Sequence, residues 1–122
     1  MKRNLDLIRE ILLRIESNEQ NATLSSSSFH DLNENKDLID YHLYLLADAG
    51  YIEYLEVPII GNYYPQIIVQ WITNDGCDYL DSIRSPKIWV KTKEKLKDVG
   101  GQASFDVVKT IAEHLVMSML GF

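Results

Sequence analysis

The sequence is short of several things, and each shortage excludes a class of protein. It has one cysteine, Cys77, so no internal disulfide can form and a reducing, cytoplasmic setting is expected. No apolar run reaches the length of a membrane span, and the N-terminus has no signal-peptide core followed by a cleavage site. Without such a signal the Asn21-Ala22-Thr23 sequon is read as idle. Basic residues are scarce through most of the chain. Residues 1–50 carry five Lys/Arg against nine Asp/Glu, and residues 51–85 carry one against five. Only residues 86–122 reverse the balance, with six against four. Their excess is concentrated in "KIWVKTKEKLK" at 87–97, five lysines and one glutamate. A basic face is the usual footprint of a nucleic-acid binder, and this segment alone could supply one.

What is present is an ordinary globular composition, 46% apolar and 25% charged, with a net charge of −6. A chain of 122 residues fits one domain and can bury roughly two-thirds of its unfolded surface. In "NLDLIREILLRIES", Leu5, Ile8, Leu12 and Ile15 recur at helical spacing, widened by Leu7 and Ile11, with Asn4 placed to cap the helix. "NEQNATLSSSS" breaks that pattern, and Leu24 within it is expected to anchor a very short strand. "SFHDL" is expected to form a brief helix, because Ser28 and Asp31 are spaced like a capping box. In "NKDLIDYHLYLLADAG", Leu38, His42, Leu45, Leu46 and Ala49 define one face, and Gly50 stands where a left-handed C-terminal cap belongs.

"YIEYLEV" and "QIIVQWI" alternate as strands around the turn "PIIGNYYP", so they form a hairpin. Thr73 then caps a helix through about Ile83, expected to bury Cys77, Leu80 and Ile83. Ser85-Pro86 ends it and opens a lysine-rich helix holding Ile88, Trp89 and Leu96. After the break at Gly100-Gly101, Ser104 opens a last helix with Phe105, Val108, Ile111, Ala112, Leu115 and Met119 on one face. The order is helix, short strand, helix, helix, hairpin, then further helices. It defines an α+β winged helix, a helix-turn-helix plus a β-hairpin wing, with a C-terminal helical extension. The expected organisation is a single domain over 1–122, a winged-helix core at 1–72 with the helices of 73–122 packed on it.

"MKRNLDLIREILLRIE", "YHLYLLADAGYIE" and "ITNDGCDYLDSIRSPKIWVKTK" together resemble a family of uncharacterised proteins from phages and prophages of Gram-positive bacteria, grouped as a domain of unknown function. The resemblance runs nearly end to end. It implies a small, cytoplasmic, phage-associated, winged-helix-like protein, and it carries over no activity and no functional residues.

Little in the chain points to catalysis. None of His30, His42 and His114 has another histidine, a cysteine or paired carboxylates at metal-ligand spacing, the neighbouring His30-Asp31 pair being too common to count. His42 falls on an apolar helix face, where a structural ring bonded to a backbone carbonyl outweighs a ligand or general base. Cys77 lies among Asp75, Asp78 and Asp81, which would raise its thiol pKa and weaken it as a nucleophile. The Gly100–Ser104 stretch lacks the lysine and hydroxyl of a phosphate loop and reads as a helix break. No catalytic, metal or cofactor-binding residue is assigned, and the expectation is a non-enzyme.

Binding is left. In a winged helix the helix within "NKDLIDYHLYLLADAGYIEY", residues 35–54, would be the recognition helix, which ordinarily reads bases with Arg, Lys, Asn or Gln. Here its outward stripe is Asp37, Tyr41, Tyr44 and Asp48, with Asp40 beside it. A carboxylate roughly 6 Å from a phosphate costs on the order of 0.7 kcal/mol in water before screening, and no outward guanidinium or amide offsets it. The wing "PIIGNYYPQ" has no Lys or Arg either. Conventional docking on DNA is therefore disfavoured. The stripe, together with Tyr63 and Tyr64 of the wing, is instead read as a contact surface for a protein partner. The alternative is a DNA-binding transcriptional regulator using Lys87, Lys91, Lys93, Lys95 and Lys97. The end of the last helix, "HLVMSMLGF", is apolar nearly all round and must be buried, either by closing the monomer's own core or, as favoured, through a homodimer over residues 105–122.

Overall fold

A computed structural model of the chain describes residues 2–18, 22–61 and 64–122. Asn21 of the sequon and Asn62 and Tyr63 of the wing lie outside the described residues. The described chain parts into two compact units, Met1–Cys77 and Asp78–Phe122.

The first unit begins with helix α1 (Leu5–Glu16), whose expected cap is found: the Asn4 side chain accepts the Leu7 N–H at 3.1 Å. Leu5, Leu7, Ile8, Ile11, Leu12 and Ile15 are buried. A 3-10 turn follows at Ser26–Phe29, and its capping box differs from the expected one. Ser25 and Ser28 form it, with the Ser25 N–H donating to Ser28 Oγ at 3.1 Å. Asp31 is engaged elsewhere. Its carboxylate meets Arg14 of α1 in a two-pronged pair, at 2.9 and 2.6 Å, while Arg14 also donates to the Ser28 carbonyl at 2.9 Å. That fork holds the Asp31 carboxyl below the usual carboxylate range and raises the Arg14 guanidinium further.

Helix α2 (Lys36–Asp48) is capped by the Asn35 side chain, which accepts the Leu38 N–H at 3.2 Å. At its other end Gly50 takes φ +76°, and the Tyr51 N–H reaches back to the Leu46 carbonyl at 2.9 Å. This is the glycine-terminated cap expected there. Strands β1 (Ile52–Val57) and β2 (Gln66–Ile72) pair antiparallel, with Ile52 opposite Ile72 and Val57 opposite Gln66. A bulge beside Glu53 leaves Gln70 as the extra residue of β2. The short strand expected at Leu24 is found as a bridge to Val69, with N–H···O bonds of 3.0 and 2.7 Å in the two directions. Ile52, Ile67 and Val69 point inward, and β2 lies against α1 and α2.

Helix α3 (Asn74–Ile83) starts at the end of this unit. Thr73 Oγ1 accepts the Gly76 N–H at 3.1 Å and donates to the Gly50 carbonyl at 2.6 Å, which ties the helix start to the end of α2. Gly76 is required by crowding, because an added Cβ would collide with the Tyr51 carbonyl and come within 2.8 Å of Ile72 Cγ1.

In the second unit α3 continues through buried Tyr79, Leu80 and Ile83. Cys77, at the edge of the first unit, is half-buried rather than buried as expected. Helix α4 (Pro86–Lys97) opens with Pro86 in its first turn and Ser85 as cap, as the Ser-Pro pair predicts. Ile88, Trp89, Thr92 and Leu96 are buried. Helix α5 (Phe105–Met119) is capped by Ser104 and packs on α4. Phe105, Val108 and Ala112 are buried, Ile111 and Leu115 are half-buried, and Met119, expected on the buried face, is exposed. The α+β class and the winged-helix-like order of elements are those expected. No helix among the described residues is long and apolar enough to cross a membrane.

Candidate interaction surface

Which face α2 turns outward is decided by what it buries. Its buried side is Ile39, Leu43 and Leu46, flanked by Asp40, His42 and Ala47. This corrects the face expected from periodicity: Leu38 and Leu45 are only half-buried and Ala49 is exposed. The helix is turned by about one residue, roughly 100°, from that expectation. Asp40 is corrected with it. It is 2% exposed, not outward, and its Oδ2 takes the Lys36 ammonium at 2.7 Å. Asp40 Oδ1 has no hydrogen-bond partner among the described residues.

His42 fixes the rotation. Its ring is fully buried, Nδ1 lies 2.7 Å from the Leu38 carbonyl, and Nε2 receives the backbone N–H of Asn4 at 2.8 Å. A backbone N–H can only donate, so Nε2 must carry a lone pair and Nδ1 must carry the proton. The structural role expected for His42 is the one found, with a second partner in Asn4 that helical spacing could not reveal. Burial pushes its pKa down, against the opposing pull of the Leu38 carbonyl.

With that face held inward, Asp37 and Asp48 are exposed at the two ends of the opposite stripe, Tyr44 is exposed and Tyr41 is half-buried. Tyr64, half-buried after the wing turn, leans onto both tyrosines. Its ring centroid is 5.5 Å from Tyr41 and 6.5 Å from Tyr44, and Tyr41 also meets His42 edge-on at 5.5 Å. The structure thus joins four of the expected stripe residues and one of the two wing tyrosines, while Tyr63 lies outside the described residues. The result is a tyrosine cluster between two carboxylates. The one lysine of α2, Lys36, is engaged by Asp40, so the outward stripe carries no cation. Residues 1–77 hold five Lys/Arg against twelve Asp/Glu, or −7.

The lysine segment is a separate feature of the second unit. Lys87, Lys91, Lys95 and Lys97 are exposed on α4. Lys93 is half-buried, its ammonium 5.6 Å from the centre of the Trp89 ring. Among the described residues no three His, Cys, Asp or Glu side chains gather as metal ligands would.

A family model described as "Hypothetical protein (DUF2513)" matches residues 2–102. An uncharacterised protein of Haemophilus influenzae is 33% identical over 121 residues, which covers 98% of this chain and 99% of that protein. No solved structure matches the chain.

Proposed function

This chain belongs to the DUF2513 family, and from that premise we propose that it is a non-enzymatic winged-helix module, cytoplasmic, that works by binding another protein through the outward face of α2. The observation that carries the reading is the convergence of Tyr41, Tyr44 and Tyr64 between exposed Asp37 and Asp48. Tyrosines held against one another lose little freedom on binding and offer both an apolar ring and a polar tip, as interface anchors do. Carboxylates at both ends favour a partner with a basic surface and speed its approach. A phage or prophage setting, implied by the sequence resemblance, belongs to the same proposal.

Paired pull-downs from host lysate test it, using the wild-type chain and a Tyr44→Ala, Asp48→Lys variant as bait. A partner held by the first and lost by the second is the expected result. Identical capture by both baits would remove α2 from the interface.

A second reading is favoured by one observation: Lys87, Lys91 and Lys95 are all exposed at a spacing that sets them on one face of α4. They would contact phosphates in a DNA-binding transcriptional regulator, with Lys93 and Lys97 flanking them. Exchange of Lys91 and Lys95 for glutamate discriminates, since DNA affinity that survives it does not come from this helix.

A further inference from the structure

Helices α2, α4 and α5 all end with the same glycine device, and α2 and α5 do opposite things with it. At the end of α2, Gly50 adopts φ +76° and Tyr51 donates its N–H to the Leu46 carbonyl. Tyr51 is then buried. At the end of α5, Gly121 adopts φ +87°, its N–H meets the Ser118 carbonyl at 3.2 Å, and the Phe122 N–H meets the Met117 carbonyl at 3.0 Å. These are the paired bonds of a glycine-terminated helix cap, and they fix the residue after the glycine in place. Phe122 is that residue, and it is 85% exposed. An aromatic residue held by the backbone and left in water is a preorganised anchor without its pocket.

A pocket of suitable chemistry lies in the same unit. The start of α4 and the end of α5 border a cleft of about 360 Å³, with Ile88, Val116, Met119 and Leu120 as its apolar walls and Arg84 and Asp81 on its rim. Arg84 and Asp81 are paired at 2.7 Å, so the rim is polar but not a bare charge. An exposed aromatic anchor that follows directly on the cleft residues Met119 and Leu120 can be matched by a second copy across a two-fold axis, because such an interface presents the same patch from both copies.

The electrostatics permit this pairing at this face. The whole chain carries −6, which opposes self-association, but residues 78–122 carry seven Lys/Arg against six Asp/Glu. Residues 115–122 carry no charged side chain at all. Met117, Met119 and Leu120 are half to two-thirds exposed and adjoin Phe122. Together the four form an exposed apolar patch smaller than the roughly 800 Å² per partner of a standard interface.

We propose that the end of α5 is a two-fold self-association surface, in which Phe122 of each copy fills the cleft walled by Ile88, Val116, Met119 and Leu120 of a second copy. With a patch smaller than a standard interface, weak association in the micromolar range is expected. The proposal is independent of the α2 surface, since every residue it uses lies in residues 78–122.

Sedimentation equilibrium of the full chain over about 5 to 200 µM tests it, a range that brackets micromolar dissociation constants. The wild type should move from monomer to dimer across it. Phe122→Ser removes both anchors from the dimer and should weaken association by about a hundredfold or more. The exposed position of Phe122 means the fold does not depend on it. Met119→Glu places a charge in the cleft while leaving the anchor. A mixture of the two variants restores one anchor–cleft pair and should associate more tightly than either variant alone. A wild type that stays monomeric at the highest concentration overturns the proposal. So does a Phe122→Ser variant that associates as tightly as wild type, or a mixture no better than its components.

Discussion

His42 has two ring nitrogens, and each is assigned by its neighbour. Nε2 faces the N–H of Asn4 and Nδ1 faces the Leu38 carbonyl, so a second proton would set N–H against N–H inside the core. In the unfolded chain this ring takes up a proton near pH 6.5, whereas burial holds the folded pKa lower. The sign follows directly. Above about pH 6.5 both states are neutral here and the native contacts contribute fully. As pH falls below that value the unfolded chain binds the proton first, and stability drops by up to about 1.4 kcal/mol per pH unit until the folded pKa is passed. Urea midpoints between about pH 7.5 and 5.5 should therefore decline in the wild type and decline less in a His42→Gln variant. Equal slopes in the two proteins would show that another group titrates. The apolar position of His42 was legible from helical spacing, but its partner in Asn4 was not. That contact spans 38 residues and arises only when α1 and α2 are packed.

At the scale of elements, most boundaries could be read because the caps are local. Asn4, Asn35, Ser85 and Ser104 each receive an N–H three residues on, and Gly50 ends α2 through its own backbone. Rotation of a helix is less local. In α2, Leu38, Ile39, Leu43, Leu45 and Leu46 are all apolar, so two faces one residue apart satisfy the same periodicity. The face through Leu38, His42, Leu45, Leu46 and Ala49 left Asp40 outside; the four-residue spacing of Lys36 and Asp40 marks a pair in the sequence but not its burial. The cluster of Tyr41, Tyr44 and Tyr64 was legible only as separate candidates, since it depends on how the hairpin returns to α2. The hairpin itself gives a prediction. Trp71 on β2, opposite Glu53, is 58% exposed, whereas Trp89 on α4 is buried. Acrylamide should quench two populations of tryptophan emission, and Trp71→Phe should remove the accessible one. A single population of uniform accessibility would contradict the placement of the two side chains.

Across the whole molecule the charge is divided by unit. The first 77 residues carry −7, and residues 78–122 carry +1 with five lysines on α4. Helix α2, which exposes Asp37, Tyr44 and Asp48 and engages its one lysine internally, is poorly suited to a phosphate-lined groove. In the proposed function this surface serves protein contact instead of DNA. A fluorescence-anisotropy titration of mixed-sequence duplex DNA at about 50 and 200 mM salt separates the two. Contact with about four phosphates would weaken binding more than a hundredfold between those conditions. No saturable binding is expected at micromolar protein even at the lower salt. Micromolar affinity with that steep salt dependence would contradict it and move the function to the lysines of α4.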